Sequence, residues 1–405
     1  MINIAVLGFG VVGSGTVEVL TENKALIDKQ VKDTTCIKYI LDLREFPDSP
    51  FGNLVVHDIN IILNDPTVSV VAEMMGGSHP AYEFTKACLE AGKSVVTSNK
   101  EVVANFGTEL LALAKANGVS YLFEASVGGG IPIIRPMNHD LSSNQITAVS
   151  GILNGTTNYI LTKMETEGTD FAVALKDAQA KGYAEAIPTA DVEGLDAARK
   201  IVILAAMAFG KRISPDVIHC EGISAITTDL VKLARSMGCA IKLIGYCTMV
   251  DGRILAMVSP RLVPESNPIA GVNDVFNGIL VKANMVGEVM FYGPGAGKLP
   301  TASAVVADMM DIMGNTPANV KSPVWVDAAD SDIADFGDYA CRSLWVFNAD
   351  ASAVSKFEAT FGTLTNLTCE NGRVAFIGEA MTEHEAAKKA EAASSALVAR
   401  IRVLA

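Results

Sequence analysis

Asp196 and Lys200 stand four residues apart in Leu195–Phe209, whose apolar spacing predicts a helix, so the two side chains share one face. A carboxylate beside an ammonium is often a solvated ion pair worth only about 0.3–0.5 kcal/mol. Here the next residues, Ile201-Val-Ile-Leu-Ala-Ala-Met207, are apolar on every side, so the helix starts at a buried boundary where a solvated pair is less natural. A lysine partly desolvated in a cleft has a lowered pKa and can give up a proton near neutral pH. Lys100 follows the apolar run Ser94–Thr97, on the ligand side of an open α/β sheet, and a cation opening a helix opposes the helix dipole. The plain alternative is a surface lysine that happens to begin a helix. On residue type alone, Glu185 is a loop carboxylate after Gly182, and Glu124 with Val127, Gly129 and Ile131 belongs to a glycine-rich turn.

Gly8-Phe9-Gly10-Val11-Val12-Gly13 is a Gly-x-Gly-x-x-Gly string. With 34 glycines in the chain the string alone would say little, but it follows the apolar strand Ile2–Leu7 and opens a helical run from Val11 to Leu20. Gly8 permits the tight turn, Gly10 lets the backbone approach a pyrophosphate, and Gly13 brings helix and strand close. The helix N-terminus then offers unpaired N–H groups and partial positive charge to phosphate oxygens. Gly8, Phe9, Gly10, Val12 and Gly13 are therefore the expected contacts of a dinucleotide. The second strand ends in Asp42-Leu43-Arg44: an acid there holds a ribose 2′-hydroxyl and favours NAD, whereas an arginine accommodates the 2′-phosphate of NADP. Both are present, so NADP and NAD stay open.

Those residues need elements to position them. From Ile2 to about Ile134, apolar runs (Ile2–Leu7, Cys36–Leu41, Ser69–Met74, Ser94–Thr97 and Ser120–Phe123) alternate with helical patterns. One such pattern, Pro80–Ala91, is capped by Ser78; another is Glu101–Asn117. This is the signature of an α/β fold with a Rossmann dinucleotide-binding domain over 1–134. Residues 135–300 read as an α+β catalytic and dimerisation domain, with helices near Tyr159–Glu167, Asp170–Lys181 and Leu195–Phe209. Its strands are Ile146–Ile152, Ala240–Met249 and Arg253–Leu262. A helical run over 301–315 is expected to pack back on the first domain. Residues 316–338 read as a linker, and 339–405 as a small ferredoxin-like module of β-α-β-β-α-β order.

Half of the 405 residues are hydrophobic and 19% are charged, which suits a packed globular enzyme. The formal net charge of -13, with no basic block, argues against nucleic acid and anionic membrane as partners. No stretch has the length of a membrane span, and the N-terminus reads as a buried strand rather than a signal peptide. Seven scattered cysteines without a Cys-x-x-Cys pair suit a reducing cytoplasm. His79 and His139 read as capping or core histidines; His57, His219 and His384 carry no assignment.

Several long segments, in order, give the chain a family likeness. Gly151-Ile-Leu-Asn-Gly-Thr-Thr-Asn-Tyr-Ile160 resembles the hallmark of homoserine dehydrogenases. So do Lys181-Gly-Tyr-Ala-Glu185 and Pro188-Thr-Ala-Asp-Val-Glu-Gly-Leu-Asp196-Ala-Ala-Arg-Lys200. Val95-Val-Thr-Ser-Asn-Lys100, Glu124-Ala-Ser-Val-Gly-Gly-Gly-Ile131 and Gly293-Pro-Gly-Ala-Gly297 running into Pro300–Asp308 complete the set. The resemblance spans residues 1 to 315. It implies NAD(P)H-dependent reduction of L-aspartate 4-semialdehyde to L-homoserine, in threonine, methionine and isoleucine biosynthesis. Hydride addition to an aldehyde builds alkoxide charge, which demands a cation or proton donor. By resemblance Lys200 is that acid, Asp196 helps to hold substrate, Glu185 binds its α-ammonium group, and Lys100 lies near cofactor and substrate. Gly297 joins the cofactor set. Glu124 with the carbonyls of Val127, Gly129 and Ile131 matches the family's site for sodium or potassium.

The chain also departs from the family pattern. Ile187 stands where an acidic residue usually precedes the proline. The tail takes the place of an ACT domain, but an Asp followed by a Pro-Gly turn reads here as Asn348-Ala-Asp350-Ala-Ser-Ala353, which puts feedback binding of an amino acid in doubt and leaves assembly as its role. Because the chain begins at the first Rossmann strand, no fused aspartokinase-like domain is expected. A homodimer or homotetramer is expected. The competing readings are another NAD(P)H-dependent reductase of a small amino-acid-like aldehyde or imine, which would share Gly8–Gly13 but would not need Asn154-Gly-Thr-Thr or the Asp196 and Lys200 pair, and a dinucleotide-binding sensor, which would tolerate loss of Lys200.

Overall fold

The computed structural model describes residues 1–393 and 395–404. The chain divides into two compact units: Met1–Thr147, Val202–Asp216 and Val281–Ala328 form the first, and Ala148–Ile201, Val217–Leu280 and Ala329–Ala405 the second. The grouping cuts across sequence order, since residues 202–216 and 281–328 join the N-terminal unit.

In the first unit, six parallel strands β1 (Ile2–Leu7), β2 (Thr35–Leu41), β3 (Val55–Val56), β4 (Val68–Glu73), β5 (Ser94–Thr97) and β6 (Tyr121–Leu122) form one sheet in the order β3-β2-β1-β4-β5-β6. That is the Rossmann order, whose direction reverses between β1 and β4, where ligands bind beyond the carboxyl ends of the strands. Ile4, Ala5, Val6 and Leu7 are wholly buried, as expected of a parallel strand covered on both faces. The helix Val11–Glu22 packs beside Lys298–Gly314, which is one turn longer at its start than the sequence pattern suggests. Gly15 makes this approach possible, since a Cβ there would lie 2.8 Å from the Lys298 carbonyl oxygen. Val17, Leu20, Val305 and Met309 close the shared core.

One sequence expectation is corrected in this unit. Ser78 does not cap the helix Ala81–Glu90 with its side chain: Pro80 occupies the N-cap, and Ser78 contributes its carbonyl, which accepts the Tyr82 N–H at 2.9 Å. The segment 316–338, expected as a linker, carries short structure of its own. Val326–Asp327 pairs with Lys211–Arg212, and Trp325 packs against Gly107, where no Cβ would fit.

The second unit is built on a long antiparallel hairpin, Cys239–Val250 with Arg253–Pro264, paired along its full length. Ile146–Ile152 joins one side, with Gly151 opposite Gly245. On the other side Arg261 and Leu262 pair in parallel with Arg402 and Val403 of the strand Leu397–Val403. That strand is the last of a β-α-β-β-α-β tail whose others are Ser343–Asn348, Thr365–Glu370 and Arg373–Ile377, in the spatial order fourth, first, third, second. Trp345, Phe347, Phe357, Phe361 and Phe376 fill its core. Buried Glu383 receives both Arg400 and Arg402, and Arg402 also reaches Glu221 at 2.8 Å. The chain then runs through the strand Phe276–Ala283, which crosses the division between the units at Leu280, and Gly287–Pro294, which belongs to the first; the sequence pattern signals neither. Among the described residues, no helix is long and apolar enough to cross a membrane, and all seven cysteines are free.

Candidate active site

The helix Leu195–Phe209 places Asp196 and Lys200 on one face, as their spacing requires. Lys200 Nζ donates to Asp196 Oδ2 and to the carbonyl oxygen of Leu153, each at 2.7 Å. Both side chains are nearly buried, at 12% and 8% exposure, so this is not a solvated pair. Leu153 follows the strand Ile146–Ile152, and the next residue, Asn154, caps the helix Gly155–Glu167 by accepting the Thr157 N–H at 2.9 Å. The Asn154 amide donates to Asp191 Oδ1 at 2.7 Å and to Asp196 Oδ2 at 2.9 Å. Thus two carboxylates, an ammonium and an amide converge on one spot. Glu185 lies on an exposed loop next to this cluster in sequence; its carbonyl accepts Gln179 Nε2 at 3.1 Å, and Thr156 Oγ1 donates to the nearby Tyr183 carbonyl. Ile187, the departure from the family pattern, is 79% exposed.

In the first unit, Gly8 takes φ +89°, which an L side chain rarely adopts, and a Cβ on Gly13 would lie 1.9 Å from the Gly8 carbonyl oxygen. A Cβ on Gly10 would meet no atom within 4 Å, so the space above it is open to a phosphate. The loop thus fits a dinucleotide: crowded where helix meets strand, empty where the ligand comes. A cavity of about 400 Å³ runs from Gly8 and Gly10 past Asp42, Arg44 and His57 to Met74 and Met75. Phe9 packs edge-on against Phe46, and its N–H donates to Asp42 Oδ2 at 2.8 Å. Val12 lies in the first turn of the helix behind this loop, and Gly297 caps Lys298–Gly314 with φ +120°. Arg44 lies along Asp42, donating from Nε and Nη2 at 2.9 Å and from its backbone N–H at 3.0 Å. The Arg44 guanidinium holds the Asp42 carboxyl well below the usual carboxylate range.

Lys100 opens the helix Lys100–Ala116, which Asn99 caps by accepting the Glu101 and Val102 N–H groups. Beneath it, Glu73 at the carboxyl end of β4 is wholly buried and accepts Thr97 Oγ1 and the Met75 N–H, each at 2.7 Å. Burial raises the Glu73 carboxyl pKa, although these hydrogen bonds oppose the shift.

Glu124 is also buried, and its carboxylate has a structural task. Oε1 accepts the Ile133 and Ile134 N–H groups at 2.5 and 2.9 Å, and Oε2 accepts that of Arg135 at 2.6 Å, which caps the short helix Ile134–Asn138. In return the Glu124 N–H donates to Asp308 at 2.7 Å, and Asp308 pairs with the Arg135 guanidinium at 2.8 Å. Val127 and Ile131 are buried, while Gly129 presses on Gly295, with 2.6 Å between a notional Cβ and the Gly295 carbonyl.

Comparison with known proteins bears on this geometry directly. The family model for homoserine dehydrogenase matches residues 132–310, and that for the homoserine dehydrogenase NAD binding domain matches residues 8–124. Homoserine dehydrogenase of Bacillus subtilis (strain 168) is 42% identical over 329 residues, covering 80% of this chain and 76% of the relative. The crystal structure of a homoserine dehydrogenase from Thiobacillus denitrificans superposes with TM-score 0.89 at 34% identity, covering 100% of this chain and 98% of that one. The chain belongs to the homoserine dehydrogenase family. Its reaction is the NAD(P)H-dependent reduction of L-aspartate 4-semialdehyde to L-homoserine. A hyperthermophilic archaeal homoserine dehydrogenase mutant, solved in complex with NADPH, is 28% identical with TM-score 0.66 and covers 76% of this chain and 97% of that one.

For a homoserine dehydrogenase, sequence reasoning marks Asn154 only as part of the Asn154-Gly-Thr-Thr segment, and it overlooks Asp191, Glu73 and Asp308. Only Asn154 carries a local signal, because an Asn before Gly-Thr-Thr is a helix N-cap. Asp191 joins the cluster through a return of the chain 37 residues away from Asn154. Glu73 and Asp308 lie in apolar runs that look like ordinary core.

Proposed function

We propose that Lys200 is the proton donor to the carbonyl oxygen of L-aspartate 4-semialdehyde, and that Asp196 orients both Lys200 and the substrate. The observation that carries this is the double anchoring of Lys200 Nζ, at 2.7 Å to Asp196 and to the Leu153 carbonyl, in a nearly buried position. A bound reduced dinucleotide supplies the hydride; the negative charge that then builds on oxygen is met by the ammonium, which passes it a proton. Glu185 takes the substrate's α-ammonium group, and Lys100 provides a fixed positive charge near cofactor and substrate. In this reading, residues 1–134 with the helix 301–315 carry the dinucleotide, 135–300 carry catalysis and dimerisation, 316–338 connect, and 339–405 form an ACT-like domain. The test is turnover of the reduced dinucleotide with L-aspartate 4-semialdehyde by the wild type and by Lys200→Ala. Loss of kcat in a folded variant supports the assignment, and equal turnover removes it.

We further propose NADP as the preferred dinucleotide, through Arg44. A carboxylate offers about four lone-pair sites, and Asp42 receives four donors, one from Phe9 and three from Arg44. A ribose 2′-hydroxyl therefore finds no acceptor there, whereas the 63% exposed Arg44 can turn a face to a 2′-phosphate. For the monovalent cation, sodium or potassium, the remaining lone-pair direction of Glu124 joins the carbonyls of Val127, Gly129 and Ile131 as hard oxygen ligands. A homodimer or homotetramer is supported by the exposed Met285, Val286 and Tyr292. A cytoplasmic location is supported by the free cysteines. For the tail we propose assembly rather than effector capture, because at its first strand-to-helix turn Asp350 is taken up by Ser352.

A further inference from the structure

We infer that Asn154 is a positioning residue for the reaction, one amide that holds Asp191 and Asp196 together while it fixes the start of the helix Gly155–Glu167. This rests on the reading of Lys200 and Asp196 as the reacting pair.

Asn154 is 6% exposed, and all its hydrogen-bonding capacity is directed inward. Its amide nitrogen has two donors, and each meets a different carboxylate, Asp191 at 2.7 Å and Asp196 at 2.9 Å. Two carboxylates drawn this close repel each other, and a group that donates to both at once lowers that repulsion at the place where it acts. The amide oxygen is separately engaged as the helix cap, accepting from Thr157 N–H at 2.9 Å and from Thr157 Oγ1 at 3.1 Å. The cap fixes the backbone on either side of it. One residue upstream, the Leu153 carbonyl is the second anchor of Lys200. Asn154 therefore sets two groups that hold the Lys200 ammonium: Asp196 through its side chain, and Leu153 through the backbone it pins. Asp lacks the donors, Ser or Thr lacks the reach to both acids, and Gln, with the same amide, is one methylene longer and a poor N-cap.

The two functions separate by substitution. Asn154→Ser and Asn154→Asp both keep a good N-cap acceptor, so the helix start should survive in both, as thermal unfolding near the wild-type midpoint would show. Asn154→Ser removes the bridge between Asp191 and Asp196; Asn154→Asp also adds a third negative group. For positioning, misplacement of this order costs on the order of 10²-fold in rate. The expected result is a fall in kcat of about that size for Asn154→Ser and a larger fall for Asn154→Asp. The KM for reduced dinucleotide should be unchanged, and the isotope effect with deuterated dinucleotide should rise as chemistry becomes rate-limiting. Wild-type kcat in both folded variants overturns the inference. Lys200→Ala run alongside keeps the cases apart: if it too is fully active, the reading of the reacting pair has failed, whereas an inactive Lys200→Ala beside active Asn154 variants sinks the bridge alone. If Asn154→Ser unfolds early, Asn154→Thr replaces it, with the same expected loss of kcat.

Discussion

Lys200 and Asp196 meet at 2.7 Å on one turn of a helix, with 12% and 8% of their side chains exposed. Removing one partner of a buried pair leaves an uncompensated charge and typically costs about 3–5 kcal/mol. Asp196→Ala should therefore lower the unfolding midpoint as well as kcat. Replacing both, Asp196→Leu with Lys200→Met, should restore much of the stability and none of the activity. Thermal unfolding and turnover, measured on the same three proteins, check this; recovery of activity in the double variant would remove both residues from the chemistry.

Arg44 should decide the choice of dinucleotide. Arg44→Ala is expected to raise the KM for NADPH by tenfold or more, on the basis that a charge-assisted bond to phosphate is worth about 1.5–3 kcal/mol. The KM for NADH should fall, because loss of the two guanidinium donors frees acceptor sites on Asp42 for a ribose 2′-hydroxyl. Equal effects on both cofactors would show that Arg44 acts only by holding Asp42 and the Phe9 N–H.

Glu124→Gln should test the cap on the helix Ile134–Asn138. A glutamine has one acceptor oxygen where Glu124 uses two, and it turns an NH₂ toward an N–H that has lost its partner. An unsatisfied buried donor costs about 1–3 kcal/mol, so the unfolding midpoint should fall by several degrees. Comparing KM in sodium, potassium and a bulky organic cation, before and after the substitution, tests the proposed cation. A KM indifferent to the cation in the wild type would leave Glu124 as a cap alone.

Asp308 predicts a pH dependence of stability. Burial pushes its carboxyl up to about 7, reinforced by neighbouring Glu124 and opposed by Arg135. Between about pH 4 and pH 7 the folded chain holds a proton that the unfolded chain has released, so this group's contribution is complete at low pH and is lost as pH rises through about 7. Asp308→Asn has no such proton, so its unfolding midpoint should change less than that of the wild type across that window. Parallel curves for the two proteins would contradict the assignment.

Much of this arrangement is legible in the sequence, for stated physical reasons. The parallel sheet announces itself because strands such as Ile4–Leu7 are buried on both faces and so read as unbroken apolar runs. Asp196 and Lys200 are legible because helical geometry places i and i+4 side by side. What distance in sequence hides is tertiary: Asp191 reaches Asn154, and Asp308 reaches Glu124, by paths no local pattern records. Phe276–Ala283 is overlooked because Asn277, Gly278 and Lys282 break up its apolar pattern, although all but Phe276 and Lys282 are buried. The Asp42 and Arg44 pair shows the converse. Sequence names both candidates, and only their mutual hydrogen bonds reveal that one occupies the other.

The tail joins the rest of its unit by backbone as well as by side chains, because Leu397–Val403 pairs with Arg253–Pro264. Cutting the chain before the tail would bare the end of that strand around Arg261 and Leu262, leaving unmet N–H and C=O groups of the kind that recruit other chains. The tail is thus a seal on the sheet: whatever its own ligand, a shortened protein should fail first by clumping, long before loss of regulation could be noticed.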